Sequence, residues 1–544
     1  MADSRVTGAK RRLGELKTAR APREGHWREL MRLTRPLADE LFGGGVRGDR
    51  SGRASGEIYD MTAGHGATNL AAGLWGMGTN SATEWFAIQA EVEELNADAE
   101  VGAWCRTVTQ RLLRAFAAGG GNFYAEAMTY FLDLASIGTA IMYSDEDATA
   151  GRLWHATIPL SECYIAQNQR RQVDTLYRTF TMTTRQAAGE FGAEALHPTM
   201  RKALEKEPDR KWQFLHAVEP NDLFDPTRRG SNAMAFQSLY VDLEHDHLVE
   251  EGGYQEMPYH VTRWWCQAGE VYGDGPAALA RADAKTVNVM AKTTLEGAQA
   301  AVRPPLATTD ELAMRGIQFR PGQVIAGAID PWSGRELVKP MQSGGAIGLG
   351  LEMEEQRRAA IKEAFYWQLL VLQAGDRATA TEVLARQEEQ LRLMGPHLGR
   401  MNAEFLDPVV SRAFLILLRA RALPPPPPAL LAAPGLKVTY VSPLARAQKI
   451  ATAATILRFL EGALPLAQAK PEALDVIDED AVMRELAGAY HVPGTLIRDP
   501  RQVAALRQQR AEAQAAAQQA AEMQQGAATL RDLGQAAQAA GEGV

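Results

Sequence analysis

Cysteine is scarce: Cys105, Cys163 and Cys266 are the only three in 544 residues, odd in number, far apart and without CxxC spacing. That excludes a disulfide framework and a thiolate zinc site, and it fits synthesis in a reducing cytoplasm. Long hydrophobic runs are missing too. No window approaches the roughly 18 apolar residues of a membrane span, and the greasiest run, Ala413 to Leu418, suits a buried helical turn or two. The first residues are polar and basic with no apolar signal-peptide segment, so neither export by such a signal nor membrane insertion is expected. Catalytic signatures are likewise missing: there is no GxxxxGKS/T loop for nucleotide phosphates, no HExxH and no GxSxG. The chain also lacks an excess of positive charge, since 58 Lys and Arg against 66 Asp and Glu leave −8. Tight sequence-blind nucleic-acid binding draws its affinity from Lys and Arg neutralising phosphates, so any DNA contact here is expected to be loose or local.

What is present is an ordinary soluble composition, 46% hydrophobic and 23% charged, long enough for two to four packed domains. Leu13, Leu16, Trp27, Leu30, Met31 and Leu33 recur at helical spacing, predicting a first helix that runs to Gly43-Gly44-Gly45. A Gly/Arg/Ser-rich loop follows, then a helix of small side chains over 58–78 that suits close backbone packing. From Trp85 to about Val271 the texture is mixed, with strands expected at Thr139–Tyr143, Glu162–Ile165 and Val173–Phe180. Thr183 and Gln186 have capping-box spacing, and Gly192 can end the helix they start.

Pro276 opens and Pro304-Pro305 closes a helix whose 27 residues would span roughly 40 Å. Residues 304–345 are short and turn-rich, with Ile317–Phe319 and Val324–Ile329 as strand candidates. A returning helix is expected from about Leu351 to Leu372, apolar at Ile361, Ala364, Phe365, Leu369 and Leu372. The pattern is a stalk with a small β tip. Thr379 and Glu382 should cap a further helix reaching about Ala422, bent near Gly395-Pro396 and Asp407-Pro408. Pro424 to Pro428 read as a stiff spacer closing this unit. Beyond it come a strand-like LKVTYV, helices, and an Ala/Gln-rich stretch from about Val503 with too few large apolar residues to build a core alone.

Three charged clusters invite chemistry. His245-Asp246-His247, flanked by Glu244, Glu250 and Glu251, could present two imidazoles from one strand face to a metal, or be a solvated polar hairpin. Asp145-Glu146-Asp147 could be a nuclease carboxylate cluster, or an acidic turn before Gly151. Lys10-Arg11-Arg12 could touch phosphate or membrane, or be the solvated face of a helix that also carries Glu15 and Glu24. The bland alternative is favoured in each case, so no metal, cofactor or catalytic residue is expected.

Several segments, in order and across nearly the whole chain, resemble the head-to-tail connecting, or portal, protein family of short-tailed bacteriophages (podoviruses). They are RAPREGHWRELMRLTRP (20–36), IYDMTAGHGATNLAAGLWGMGTNSATEWF (58–86), GNFYAEAMTYFLDLASIGTAIMY (121–143), ECYIAQNQRRQVDTLYRTFTMTTRQ (162–186), VTRWWCQAGEVYGDGPAALARADAKTVN (261–288), ATATEVLARQEEQ (378–390) and YVSPLARAQK (440–449). Their shared order makes the match specific. The polyproline run and the His245 region lie outside it.

The resemblance implies a mainly helical α+β chain with wing, stem, clip and crown around a central channel. Laid on this sequence, 1–275 would be the wing, 276–303 the first stem helix and 304–345 the clip. Residues 346–373 would be the second stem helix, 374–423 the tunnel loop and a long wing helix, and 424–544 the polyproline linker and helical crown. It also implies a non-enzymatic virion protein, made in the host cytoplasm and built as a dodecameric ring at one capsid vertex. The implied partners are double-stranded DNA in the channel, the terminase large subunit, major capsid and scaffolding proteins, and tail adaptor and internal core proteins. The loop around Gln373, Gly375, Asp376 and Arg377 falls where the family constricts its channel, so Arg377 would face DNA, or form a salt bridge to Asp376 or to a neighbouring subunit. Lys285 and Lys292, seven apart on one helix face, are candidates for channel or inter-subunit contacts. Arg315, Arg320, Arg335 and Lys339, balanced by Asp310, Glu311, Asp330 and Glu336, are expected to meet the motor or tail adaptor. Two other classes stay open on the residues alone: a metal-dependent phage nuclease using the His245 and Asp145 regions, and an assembly scaffold without a channel.

Overall fold

Residues Ala2–Thr34 form one helix, with Val6, Ala9, Leu13 and Leu16 on a buried stripe that faces a sheet. The helix stops well before the glycine triplet, because Pro36 disfavours helical backbone at Arg35 and supplies no N–H of its own. The computed structural model describes residues 2–36, 58–308, 329–341, 347–370, 394–440, 453, 455–462, 478–489, 503, 505–515 and 517, without 97, 118, 120, 148–151, 226, 228, 229, 231, 232, 433 and 434. They divide into one unit of Met1–Glu91 with Trp104–Ser442 and another of Val92–Ala103 with Pro443–Val544.

The first unit is α+β. Its strands in chain order are β1 (Phe86–Ala90), β2 (Thr139–Asp147), β3 (Arg152–Thr157), β4 (Cys163–Gln167), β5 (Val173–Thr183), β6 (Lys211–Pro220), β7 (Phe236–Asp242), β8 (His247–Tyr254), β9 (Tyr259–Arg263), β10 (Leu306–Thr308), β11 (Val338–Pro340) and β12 (Leu436–Tyr440). The main sheet runs β4-β5-β6-β7-β8, and a smaller one runs β3-β2-β9. Alternation along β6 explains why the main sheet carries helices on both faces. Leu215 and Ala217 join the core under the first helix, while Trp212 and Phe214 point to the other core, beneath helices Thr184–Phe191 and Pro198–Lys206. The first of those helices has the expected capping box, with Thr183 and Gln186 bonding reciprocally, and Gly192 as its C-cap.

One buried arginine fixes the first helix to the sheet. Arg20 is 4% exposed and donates to the carbonyls of Leu160, Ser161 and Cys163 at 2.8, 3.1 and 2.8 Å. Its guanidinium lies 3.8 Å from the centre of the Tyr164 ring. Most basic residues around it are spent in the same way. Arg5 pairs with Glu251, Lys10 with Asp246, and Arg23 with Glu270 and Asp274. The basic start of the chain is therefore an internal clamp in which Lys10 and Arg12 already have carboxylate partners.

The smaller sheet packs on helix Phe123–Ile137, around a cluster in which Phe405 stacks on Tyr130 at 4.0 Å. Phe405 sits in a π-helical turn, Asn402–Leu406, between a helix over 394–401 and helix Asp407–Arg419. At the site where a bend was expected, Asp407-Pro408, the chain inserts one residue as a π turn and continues in helical backbone through Leu406 and Asp407. The insertion aims Glu404 at Arg263, whose backbone N–H and guanidinium donate to it at 2.9 and 2.7 Å.

Pro424–Pro427 lack regular structure and Pro428 opens a short helix, Pro428–Ala432. β12 then pairs antiparallel with β1. The polyproline run does not end the unit; it leads the chain back onto the unit's own N-terminal strand. In the second unit, helices cover 455–462, Glu479–Ala489 and 505–515, and Arg507 grips Asp480 through two bonds of 2.7 and 2.8 Å.

Candidate assembly and channel site

The long helix occupies Pro276–Val302, with Gly275 at its N-cap and proline in its first turn. Its start is wedged against the body. A Cβ on Gly138, whose φ is +85°, would fall 2.1 Å from the Gly275 nitrogen, so neither position tolerates a side chain. Ala277, Ala280, Ala284 and Val287 form the buried stripe, and beyond Val287 no residue of the helix is fully buried.

The returning helix is Ile347–Ala364. It is shorter than the sequence suggests, because Tyr366 adopts φ +57° and breaks it before a last turn at Trp367–Leu370. The break seats Phe365, fully buried, against Gly66 of helix Thr62–Gly78. A Cβ at Gly66 would lie 2.5 Å from the Phe365 ring, which is why that helix is made of small residues. Ile361 is buried as expected.

Polar bonds set the antiparallel register of the pair. Arg357 reaches Asp283 at 2.9 Å near the body, and Thr294 donates to Glu354 at 2.6 Å further out. Arg358 bonds Asp60 at 2.8 Å and Glu354 at 3.0 Å. Burial pushes the Asp60 carboxyl up, but its bonds from Arg358 and Thr62 outweigh this and hold it below its usual range.

At the tip, β10 and β11 pair, and a turn hangs on Asp330, bridged at its base from Ile329 to Glu336. The Asp330 carboxylate accepts from the Trp332 backbone N–H at 3.1 Å and from the Ser333 hydroxyl. Those bonds hold it below the ordinary carboxylate range. Asp330 therefore shapes the turn and makes no ion pair with Arg335 among the described residues. Trp332, at the turn's apex, is 95% exposed.

The candidates divide accordingly. Lys285 bonds Glu29 of the first helix at 2.5 Å and thereby holds the Glu29 carboxyl below its normal value. Lys292 lies 3.9 Å from Glu296 and 6.0 Å from the centre of the Tyr59 ring. Arg335 and Lys339 are exposed and join no ion pair among the described residues. Gln373, Gly375, Asp376, Arg377, Arg315 and Arg320, with the strand candidate Ile317–Phe319, most of Val324–Ile329 and the cap at Thr379 and Glu382, lie outside the described residues.

The chemistry considered at the other clusters meets a different geometry. His245 and His247 do not share a strand face: residues 243–246 are the β7–β8 turn. His245 Nδ1 lies 2.6 Å from Asp242, and His247 Nε2 2.9 Å from the Ala195 carbonyl. No group of three or more metal-ligand side chains occurs among the described residues. Asp145-Glu146-Asp147 is the end of β2, not a turn, and Asp145 accepts from Tyr143 and from the buried Arg412.

What sequence reading missed is the solvent-facing apolar set on this hairpin and its tip. Val289 is 63% and Val302 81% exposed, and Leu295, Leu349, Leu351, Met353 and Met341 are exposed as well. Along the first helix Lys285, Val289, Lys292 and Glu296 fall at spacings of four, three and four, which is one continuous stripe. The heptad-like spacing was readable, but which side of a helix its body covers was not.

The bacteriophage head-to-tail connecting protein family matches residues 6–497, and the chain belongs to that family. It is 31% identical over 542 residues to the probable portal protein of Bordetella phage BPP-1, covering 96% of this chain and 94% of that one. It is 28% identical over 547 residues to the portal protein of Salmonella phage epsilon15, covering 98% and 96%. Among solved structures, a chain in the virion of a native gene transfer agent particle aligns with TM-score 0.36 and 14% identity, over 74% of this chain and 86% of that one.

Proposed function

We propose that this chain is the portal subunit of a phage virion and closes into a ring, dodecameric as the family resemblance implies, at one capsid vertex. The observation that carries the proposal is the helix hairpin, along which Val289, Leu295, Val302, Leu349, Leu351 and Met353 are exposed. Apolar side chains along an unsupported pair of helices cost little once a neighbour covers them, at ~25 cal/mol per Å² removed from water. A head-to-tail contact that closes by rotation repeats this cover at every subunit.

In this reading 1–275 is the wing, 276–303 and 346–373 the stem, 304–345 the clip, 374–423 the tunnel loop and long wing helix, and 424–544 the linker and crown. The ring nucleates procapsid assembly with capsid and scaffolding proteins and docks the terminase during packaging. Later it holds the tail adaptor and internal core proteins and conducts DNA during ejection. The chain itself does no catalysis. An acidic balance suits a channel, because each phosphate bound to the wall would have to be released as DNA advances.

The loop Gln373, Gly375, Asp376, Arg377 narrows the channel, with Arg377 repeated as a sparse basic ring toward DNA. Lys292 lies along the inter-subunit stripe, whereas Lys285 is engaged within its own chain. At the clip, Trp332 anchors the terminase or adaptor contact together with the clip cations Arg315, Arg320, Arg335 and Lys339, since Trp and Arg are enriched in interface hot spots. Packaging assays test this. Trp332→Ala should leave rings intact but cut terminase-driven packaging by about an order of magnitude or more, and full packaging would refute the clip assignment. Arg377→Ala should alter DNA retention with salt; unchanged packaging and retention would refute the loop assignment.

A further inference from the structure

A cavity of about 600 Å³ lies where the two sheets of the body meet, lined from β2, β3, β5, β6, β7, β9 and helix Thr184–Phe191. The helix hairpin makes no use of it. Its walls are aromatic. Tyr143 and Trp154 stand nearly perpendicular, with ring centres 5.6 Å apart and planes at 68°, and Phe180, Tyr240 and Tyr259 continue the lining. Such faces carry negative electrostatic potential.

The charges around these walls are unequal. Asp145 is matched by Arg412 at 3.1 Å, and Arg178 by Glu162 at 3.1 Å. His216, stacked on Tyr240 at 4.0 Å, bonds the Tyr259 hydroxyl at 2.7 Å and the Ser238 hydroxyl at 3.0 Å. It is buried and neutral, so it adds no positive charge. That leaves Glu146 and Glu190, both exposed lining residues that join no ion pair among the described residues. The protein already places its own guanidinium groups on rings here: Arg178 lies 4.6 Å from the Phe180 centre, and Arg412 5.1 Å from that of Tyr254.

We propose that this cavity binds an organic cation bearing alkylammonium or guanidinium groups, held on the exposed Trp154 ring, which Tyr143 braces edge-to-face, with its N–H groups on Glu146 and Glu190. An anion would meet two unmatched carboxylates. A bare metal ion would find no group of three or more metal-ligand side chains among the described residues. Aromatic walls closed by carboxylates suit a cation that is apolar along its stem and charged at its end. The volume is in the range of small-ligand pockets and larger than one ammonium group needs, so the ligand is an extended one. A free polyamine and a basic side chain presented by a protein share this chemistry.

Calorimetric titration of the full chain separates the two sources and tests the class. The probes are spermidine, N-acetylarginine amide and its neutral isostere N-acetylcitrulline amide. The first two should bind and the citrulline compound should not. Glu146→Gln with Glu190→Gln should weaken spermidine roughly tenfold, as two exposed ion pairs are lost. Trp154→Ala should weaken it roughly fivefold through the lost cation–ring contact. All three residues are exposed, and an unchanged circular dichroism melt confirms that the variants fold. Tighter spermidine binding assigns the cavity to a free polyamine, and tighter arginine amide binding assigns it to a protein side chain. Equal binding of the citrulline compound, or no weakening in the double Gln variant, would overturn the proposal.

Discussion

The five-stranded sheet and the helix hairpin solve the same problem in opposite ways. The sheet buries one face under the first helix and the other under two short helices, so its apolar alternation is consumed within one chain. The hairpin buries the part of its first helix nearest the body, through Val287, with Glu354 and Ile361 of its second, and carries Val289, Val302, Leu349 and Leu351 outward. Its two helices are tied by polar bonds, Arg357 to Asp283 and Thr294 to Glu354. A folded body and an unfinished stalk are what a subunit needs if its assembly, and not its folding, is to depend on neighbours.

That contrast can be broken from either side. The largest effect is expected in the stalk: Val289→Asp with Leu351→Asp should abolish ring formation in sedimentation velocity. The unfolding free energy of the unassembled chain should stay within about 0.5 kcal/mol, because both sites are exposed. Loss of both properties together would mean that the hairpin is part of the body's core.

Acid should act on the body. Burial drives the imidazoles of His155 and His216 down to about 3, and His260 shifts the same way. In the unfolded chain these groups take up protons near 6.5, so below that pH the unfolded state binds more protons and stability falls. The loss is about 1.4 kcal/mol per pH unit for each of His155 and His216 between pH 6.5 and 3, with no contribution from them above that window. Denaturant melts across this range check the slope, and His155→Gln should reduce it.

Removing Arg412 comes next. It is 2% exposed and donates to the Ser144 carbonyl at 2.6 Å and to Asp145 at 3.1 Å, with Glu256 at 3.3 Å. Arg412→Ala strands these acceptors and should cost about 3–5 kcal/mol in urea unfolding. The smallest effect is at Thr183, where alanine removes one cap and should cost ~1 kcal/mol.

Features written in local chemistry were legible. The long helix begins and ends where Gly275-Pro276 and the prolines at 304 and 305 require, and the capping box at Thr183 forms as its spacing predicts. Features that depend on distant partners were not. Nothing near Tyr366 announces its positive φ, since the break serves Phe365 against Gly66, three hundred residues away in sequence by order of magnitude. The π turn before Asp407 likewise exists to place Glu404 on Arg263 and Phe405 on Tyr130. Nor does the sequence announce that Asp330, accepting from the Trp332 N–H and the Ser333 hydroxyl, folds a turn that leaves Trp332 exposed. The family was legible because it rests on the order of many segments, while the loop around Arg377 has been placed by resemblance alone.

The central claim is that the exposed hairpin is completed by copies of the same chain. Negative-stain electron microscopy of the purified protein, alone and as Val289→Asp with Leu351→Asp, tests it most directly. The account predicts rings with a central hole for the unaltered chain and single particles for the variant. Single particles or solid aggregates from the unaltered chain, or intact rings from the variant, would contradict it.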